Sequence, residues 1–279
     1  MVYYSLPAIP RSGKIRDHIE ASYEPIDALH GNPPDAVVVT GAEPRERSLE
    51  DELYWNSLTG LIDWIDAQGI PAMFSCLAAH AAVLHMDGIS RAPLENKCFG
   101  VFQHDADQNH PLMRGAGKQM LLPHTRWNKV NEAELVQNGY QILSRSEDVG
   151  VGFFARQRRS LWLFCQGHPE YEGQDLLREY RRDVRRFLLG QRATYPDLPQ
   201  DYFNEAEIQA LRAFRQQATA QSDASVMDIF PQIRQGAPTW DSWRPAAISV
   251  FRNWLKQIAA TKAPLYLAPN ACHAIGSVQ

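Results

Sequence analysis

One cysteine of this sequence is placed where it could act as a nucleophile. Cys76 ends the short apolar run PAMFSC and begins CLAAHAAVLHMDG, which has the composition of a helix. A sharp strand-to-helix turn lifts a nucleophile above a sheet, and the positive end of the helix dipole favours the thiolate. We predict that Cys76 is a nucleophile, with a buried structural cysteine as the alternative. Cys98, Cys165 and Cys272 lack this context, and a structural role is predicted for them.

A histidine and a glutamate, separated by one proline, follow the apolar run LWLFCQ as His168 and Glu170. Imidazole can act as a base for a thiol or hydroxyl, and a carboxylate can orient it through its other nitrogen. Sites in open α/β sheets form at the carboxyl ends of strands, so Cys76 and His168 are expected to converge. Taken alone, His-Pro-Glu is more often a surface or capping motif. Its occurrence after the cysteine turn predicts the catalytic set Cys76, His168 and Glu170.

The segments around these residues alternate between strands and helices. Strands are predicted at DAVVVT, PAMFS and LWLFCQ, with a helix after each, and further helices at about 204–218 and 246–260. FGVFQ, QMLLPH and GYQILS are predicted strands between residues 98 and 152. This order predicts an α/β fold with an open, mostly parallel sheet, helices on both faces and a β-rich insertion. We expect a single domain over residues 1–279, with about 190–279 as a helical extension.

Composition argues against several other classes of protein. Hydrophobic residues make up 44% of the chain, charged residues 22%, and the net charge is −4. Neither extensive disorder nor binding to nucleic acid or an anionic membrane is indicated. No window approaches the ~18 continuous apolar residues of a membrane span, and the N-terminus has no secretory signal pattern. Widely spaced cysteines are typical of reduced cytosolic thiols. We predict a soluble, cytoplasmic protein with no bound metal or prosthetic group.

These motifs resemble the homoserine O-succinyltransferase family, whose fold is similar to that of class I glutamine amidotransferases. The resemblance spans roughly residues 35–260. VVVTGAEP is similar to a strand and loop ending in Thr-Gly-Ala-Pro, and SCLAAHAAVLHMDGI to the turn and helix with the acyl-accepting cysteine. The most specific match is GHPEYEGQDLLREYRRD, residues 167–183. Further similar segments are YWNSLTGLIDW, ENKCFGVFQH, LPHTRW and SWRPAAISVFRNWL.

The resemblance implies roles that spacing alone does not single out. Lys97, Thr125 and Arg182 correspond to substrate-binding positions, and Arg182 could bind the carboxylate of an amino acid through two hydrogen bonds. Backbone N–H groups of Leu77 and of the Gly41–Ala42 loop would form an oxyanion hole. Without the resemblance, Arg182 would be assigned to a solvated, arginine-rich helix face.

The implied reaction moves a succinyl group from succinyl-CoA to the hydroxyl of L-homoserine through a Cys76 acyl-enzyme, in methionine biosynthesis. The family resembled has, on this loop, a small residue in succinyl users and an acidic one in acetyl users, and the nearest position in this sequence is Arg45. It could pair with the succinyl carboxylate or simply fill space. Alternatives are acetyl-CoA as co-substrate, serine as acceptor, a glutamine amidotransferase-like hydrolase, and an inactive, N-terminally truncated binding protein. Small-molecule substrates and a possible homodimer are the expected partners.

The chain also departs from the family pattern. Thr125 replaces the usual serine, and His80 stands where the family has glutamine. Family members begin with a further strand bearing Asn-x-Met-Pro, followed by a helix, and this chain is expected to lack both. Either the sequence is truncated or the sheet lacks an inner strand, which would expose an apolar edge.

Overall fold

The computed structural model of this chain describes residues 1–7, 9, 11, 13–221, 223–233 and 241–262. Its strands are β1 (Tyr4–Ser5), β2 (Glu24–Pro25), β3 (Val37–Val39), β4 (Ala72–Ser75), β5 (Arg91–Ala106), β6 (Gln119–Val130), β7 (Gln141–Ile142), β8 (Ser144–Ser146), β9 (Gly150–Val151), β10 (Phe153–Gln157) and β11 (Leu161–Cys165). Its α-helices are α1 (Lys14–Ser22), α2 (Ala28–Gly31), α3 (Trp55–Gln68), α4 (Leu77–Asp87), α5 (Glu132–Gln137), α6 (Asp175–Leu188), α7 (Glu205–Gln221) and α8 (Arg244–Lys262). Cys272 lies outside the described residues. Within them, no helix combines the length and apolarity needed to cross a lipid bilayer.

A five-stranded sheet in the order β3-β4-β11-β10-β7 carries both candidate catalytic segments. β3, β4 and β11 run parallel, and β10 and β7 are antiparallel to their neighbours. β4 is buried along its whole length and β11 along nearly all of it, which is why their sequences are continuous apolar runs. Ser75 pairs with Cys165 at the carboxyl ends of β4 and β11. The residues that follow these strands therefore emerge side by side.

Helices cover both faces of this sheet. On one face, Ile62 of α3 and Val83 of α4 belong to the same buried cluster as Phe74. On the other face, Trp254 of α8 joins the cluster that contains Leu163. The predicted α/β fold with helices on both faces is confirmed. The sheet is mixed, because β10 and β11 form a hairpin that adds antiparallel strands to one side.

A second sheet accounts for the predicted β-rich insertion. It is antiparallel, with the order β6-β5-β8-β9, and β5 and β6 are paired along most of their length. The predicted strand GYQILS is divided between the sheets, since β7 belongs to the first and β8 to the second. Leu143 lies at the switch. Its N–H donates to the Phe153 carbonyl at 2.9 Å, and its own carbonyl accepts from the Asp107 N–H at 2.9 Å.

The C-terminal helices pack on the two sheets. A third hydrophobic cluster combines Phe99 and Val101 of β5 with Tyr180 of α6, Phe214 of α7 and Trp243. α6 is thereby fixed beside the second sheet, with its polar side chains free to contribute to a site. The division that treats residues 190–279 as a helical extension stays a prediction.

A short strand and a helix, β1 and α1, precede β3, and the sequence pattern did not predict either element. β1 pairs in parallel with β2 in a separate two-stranded sheet. Tyr4 and Leu6 hold this region in place, because they pack against the cluster that contains Ile62. β3 lies at the edge of the five-stranded sheet.

Candidate active site

Cys76 occupies a sharp turn between β4 and α4. Its φ is 52° and its ψ −117°, a left-handed conformation that is uncommon for residues other than glycine. The backbone N–H of Cys76 donates to the Cys165 carbonyl at 2.7 Å, which fastens the turn to β11. The side chain is partly exposed. The structure thus has the strand-to-helix turn that the sequence predicts, with Cys76 at its apex. Cys98 and Cys165 are both buried within the sheets.

The loop after β3 lies directly against this turn. A methyl group added to Gly41 would be 2.9 Å from the backbone nitrogen of Leu77 and 3.1 Å from its Cβ, so only glycine fits. Leu77 is the first residue of α4, and N–H groups in the first helical turn have no partner within their own helix. The structure therefore brings together the three residues predicted for an oxyanion hole, Gly41, Ala42 and Leu77.

His168 is held from several directions. Its Nδ1 is 2.9 Å from Glu170 Oε1, and its backbone N–H donates to the Pro123 carbonyl at 2.8 Å. Its ring stacks on Tyr171, with ring centroids 4.2 Å apart and planes 25° from parallel. Apart from the Cys76 thiol, the described residues offer no hydrogen-bond partner to the buried Nε2 atom of His168. Nδ1 of His168 thus faces the Glu170 carboxylate, and Nε2 can hydrogen-bond to the Cys76 thiol.

The electrostatics of this group favour a charged imidazole. Burial opposes the imidazolium, but the charge of Cys76, a hydrogen bond with Cys76 and the Glu170 carboxylate outweigh it and raise the pKa of His168 to about 10. An imidazole whose pKa is raised in this way carries its proton at neutral pH. The arrangement supplies a nucleophile together with an acid that can protonate a leaving group.

Sequence reasoning missed one residue that supports this pair. The Ser75 hydroxyl is 3.2 Å from each carboxylate oxygen of Glu170. It is buried, immediately before Cys76, and it reaches Glu170 because β4 and β11 are neighbours. Its place beside Cys76 is the signal that could have identified it.

The predicted substrate residues Lys97, Thr125 and Arg182 are gathered around two carboxylates of α6. Thr125 donates to Glu179 at 2.7 Å, and Arg182 is 3.4 Å from the same carboxylate. Lys97 Nζ is 2.9 Å from Asp183 and 3.6 Å from Glu179. Arg182 also contacts Asp183 at 3.2 Å. The three residues therefore form one polar cluster with Glu179 and Asp183, two acidic partners that were not predicted from the sequence.

Tyr171 connects this cluster to His168. Its ring stacks on His168 and its hydroxyl donates to Glu179. The substrate cluster therefore lies one side chain away from His168. Tyr171, Glu179 and Asp183 all occur in the segment GHPEYEGQDLLREYRRD, but spacing along the chain does not show which of its acids and cations pair.

Arg45 is exposed on the loop after β3. The backbone N–H groups of Arg45 and Glu46 donate to the buried carboxylate of Glu52 at 2.6 and 2.9 Å, which fixes the shape of this loop. Arg45 lines a cavity of about 560 Å³ together with Ala42. His80, in contrast, is a buried residue of α4 whose Nε2 is 3.0 Å from Gln166 Oε1, away from the cluster of Lys97, Thr125 and Arg182.

The fold is that of the class I glutamine amidotransferases. A solved structure of a glutamine amido transferase from Methylobacillus flagellatus is similar over 91% of this chain and 93% of its own, with a TM-score of 0.53 and 16% identity. At that identity, the likeness concerns the fold alone.

Sequence comparison is more specific. The homoserine O-succinyltransferase family model matches residues 2–265. Two curated homoserine O-succinyltransferases are similar to this chain, one from Methylorubrum extorquens (strain DSM 6343 / CIP 106787 / DM4) at 45% identity and one from Rhodopseudomonas palustris at 41%. Each alignment covers 92% of this chain and 77% of the relative. The chain therefore belongs to the homoserine O-succinyltransferase family.

Proposed function

We propose that the protein transfers a succinyl group from succinyl-CoA to the hydroxyl of L-homoserine, a step of methionine biosynthesis. Membership of the family supports this activity. The observation that carries the mechanism is the Cys76 turn beside the His168–Glu170 pair, with the Nε2 atom of His168 left for the thiol. The acyl-CoA is a co-substrate. Cytoplasmic localisation and a homodimer belong to the same proposal, tested by cell fractionation and analytical ultracentrifugation.

In the first half-reaction, the Cys76 thiolate attacks the thioester carbonyl. The backbone N–H groups of Leu77 and of the Gly41–Ala42 loop donate to the oxyanion. The C–S bond to CoA then breaks, and the leaving thiolate takes the proton of the His168 imidazolium. The products are free CoA and a succinyl thioester on Cys76, with His168 neutral.

In the second half-reaction, neutral His168 accepts the proton of the homoserine hydroxyl while the oxygen attacks the Cys76 thioester. Glu170 holds the imidazole through Nδ1 and stabilises the imidazolium that forms. The C–S bond to Cys76 breaks and releases the O-acyl product. Cys76 returns to the thiolate and His168 to the imidazolium, which restores the starting state.

The acceptor is proposed to bind at the cluster around α6. Homoserine carries a carboxylate, and Arg182 is its partner because its side chain is 43% exposed, whereas that of Lys97 is 13% exposed. Lys97 adds positive charge to the cluster through its contact with Glu179, and Thr125 donates a hydrogen bond to the same carboxylate. The substrate carboxylate displaces part of the interaction between Arg182 and its neighbouring carboxylates.

Donor choice is assigned to Arg45. If its guanidinium pairs with the succinyl carboxylate, kcat/KM for succinyl-CoA exceeds that for acetyl-CoA and falls in Arg45→Gly. A change of about tenfold to a hundredfold corresponds to the ~1.5–3 kcal/mol of a charged hydrogen bond. Preference for acetyl-CoA that switches to succinyl-CoA in Arg45→Gly would instead establish a steric role.

Trapping the acyl-enzyme tests the proposal. Incubation with succinyl-CoA and no acceptor should leave one succinyl group on Cys76 by mass spectrometry, and homoserine should then remove it. Cys98→Ser is the matched control and should still acylate, whereas Cys76→Ser should not. Label on Cys98 or Cys165 alone would refute the assignment of Cys76 as the nucleophile.

The role of Arg182 is tested by Arg182→Ala. This variant should impair the homoserine step far more than acylation, and an equal loss in both steps would refute the role of Arg182 in binding the acceptor.

A further inference from the structure

Tyr171 is held between His168 and the polar cluster of α6. Its backbone N–H donates to the His168 carbonyl at 3.1 Å, and its own carbonyl accepts from Nε1 of the buried Trp243 at 2.9 Å. Its ring stacks on the His168 imidazole, and its hydroxyl donates to Glu179. We propose that Tyr171 is a positioning residue, which orients the imidazole through its ring and couples that orientation to the acceptor site through its hydroxyl. The inference rests on the proposed function.

The ring of Tyr171 restricts a motion that Glu170 leaves open. The hydrogen bond at Nδ1 fixes one edge of the imidazole, but the imidazole could still swing about that contact and move Nε2 away from Cys76. A second ring against its face, with centroids 4.2 Å apart and planes 25° from parallel, blocks this swing. An aromatic face also stabilises a neighbouring cation, and His168 is a cation when it is protonated. The stack therefore favours both the position and the charge of the imidazolium.

The hydroxyl of Tyr171 joins this stack to the acceptor site. Burial and the Glu179 carboxylate raise the pKa of Tyr171 well above its usual value, so the hydroxyl keeps its proton and donates. The side chain of Glu179 is only 15% exposed. Three further groups contact its carboxylate: the Thr125 hydroxyl at 2.7 Å, Arg182 Nη2 at 3.4 Å and Lys97 Nζ at 3.6 Å. Tyr171 is thus tied, through one carboxylate, to every residue that is assigned to the acceptor.

The two contacts of Tyr171 should matter at different steps. In the homoserine step, one small substrate must place its carboxylate at Arg182 and its hydroxyl at Nε2 of His168. The link from Glu179 through Tyr171 spans the same two points within the protein, so it sets their separation. In acylation the acceptor is absent, and only the orientation of the imidazole towards Cys76 matters. Loss of the hydroxyl should therefore affect the homoserine step, and loss of the ring should affect both steps.

Two substitutions separate the hydroxyl from the ring. Tyr171→Phe keeps the stack and removes the hydrogen bond to Glu179, whereas Tyr171→Leu removes both. The matched control is Tyr140→Phe, because Tyr140 is also buried and its hydroxyl donates to a carboxylate, that of Asp87, at 2.5 Å. Acylation of Cys76 by succinyl-CoA and its deacylation by homoserine would be followed separately by rapid-quench mass spectrometry, with the folded fraction measured by circular dichroism.

Tyr171→Phe should slow the homoserine step about tenfold, the effect of one lost hydrogen bond to a charged group, and leave acylation unchanged. Tyr171→Leu should slow both steps by roughly tenfold to a hundredfold, because the imidazole is no longer held in place. Tyr140→Phe should change neither step. Equal losses in the two steps for Tyr171→Phe, or no loss in either, would overturn the proposal.

NMR titration of His168 tests the role of the ring without turnover. In Tyr171→Leu the imidazole protons should lose their ring-current shift, and the pKa of His168 should fall because the aromatic face is absent. Tyr171→Phe should preserve both properties. An unchanged His168 spectrum in Tyr171→Leu would overturn the proposal even if the rates fell, since a packing defect alone could lower them. Tyr171→Met takes the place of Tyr171→Leu if the latter does not fold.

The two readouts also separate this inference from the proposed function. Absence of transfer by the wild-type protein, with the spectral changes of His168 intact, would contradict the proposed function and leave the orientation of His168 by Tyr171 standing. Normal transfer by the wild-type protein, with no difference between Tyr171→Phe and Tyr140→Phe in either step, would overturn the inference and leave the proposed function standing.

Discussion

Two buried histidine sites of this protein have opposite electrostatics. At the candidate active site, the pKa of His168 is raised to about 10 in spite of burial. In the second sheet, burial and the charge of Arg126 lower the pKa of His104 to about 4, and that of His124 lies well below its usual value. Burial opposes the charged imidazole at both sites. The partners differ, since His168 faces Cys76 and Glu170. Burial alone therefore does not determine what a histidine can do.

The hydrogen bonds of the second site explain why it is inert. Arg126 donates its Nε–H to His124 Nδ1 at 3.2 Å, so that nitrogen must be unprotonated. His124 then carries its proton on Nε2 and donates to His104 Nε2 at 3.0 Å. The proton of His104 is left on Nδ1, which is buried without a partner among the described residues. A neutral pair of this kind beside a fixed cation cannot take up a proton at neutral pH.

The largest expected effect is on kcat, which should depend on His168 and not on His104. His168→Asn removes the proposed acid and base and should lower kcat by roughly 10²–10⁴-fold, the usual contribution of general acid–base catalysis. His104→Asn should leave kcat of the folded fraction near the wild-type value. Steady-state kinetics, normalised to the folded fraction by circular dichroism, measure both. Similar losses of kcat in the two variants would remove the distinction between the sites.

The free energy of unfolding at acid pH should reveal which histidines are neutral in the native protein. The pKa of His104 is lowered to about 4 and that of His80 to about 3, mainly by burial. Between pH 6.5 and 4 the unfolded chain binds more protons at these residues than the native protein, so stability falls as the pH falls. Each histidine can cost up to about 2 kcal/mol between pH 6.5 and 5.

Urea unfolding at pH 5, 6.5 and 8 measures this loss. His80→Gln removes one titrating group, so the difference between pH 6.5 and pH 5 should shrink by up to about 2 kcal/mol. His168 acts in the opposite sense, because its contribution is complete below pH 6.5 and is lost as the pH rises towards 10. A pH dependence that is identical in wild type and His80→Gln would contradict the assignment of a neutral His80.

The coupling of His168 to the thiol can be measured directly. In Cys76→Ala the thiol is absent, so burial is opposed by Glu170 alone and the pKa of His168 should fall by at least about one unit. NMR titration of the imidazole in wild type and variant gives this shift. Cys98→Ala is the control, since Cys98 is buried in β5 and should leave the titration of His168 unchanged. An unchanged pKa in Cys76→Ala would show that Cys76 is not the partner of Nε2.

Local sequence signals were sufficient to predict the two strands that precede Cys76 and His168. PAMFS and LWLFCQ are apolar runs that end in polar or small residues, and both are buried strands. Long-range pairings were not predictable. Lys97 and Asp183 are 86 positions apart and meet only because α6 packs beside β5. The division of GYQILS has the same origin, since Leu143 hydrogen-bonds to Phe153 of β10 and to Asp107, which directly follows β5. Such partners are tertiary, and no spacing along the chain encodes them.

The smallest expected effect concerns Ser75, whose hydroxyl lies near Glu170 and, at 3.4 Å, the Gly167 carbonyl. Its hydroxyl lies 3.2 Å from both carboxylate oxygens, and Glu170 itself is 42% exposed. Ser75→Ala removes one hydrogen bond to a charged group, worth about 1.5 kcal/mol, so kcat should fall by roughly tenfold or less. Because Glu170 is then free to move, the pKa of His168 should fall as well, which a packing defect would not cause. Ser75→Thr keeps the hydroxyl and should retain most of kcat if the added methyl group fits. A loss of kcat in Ser75→Ala without any change in the His168 titration would mean that Ser75 supports the turn and does not position Glu170.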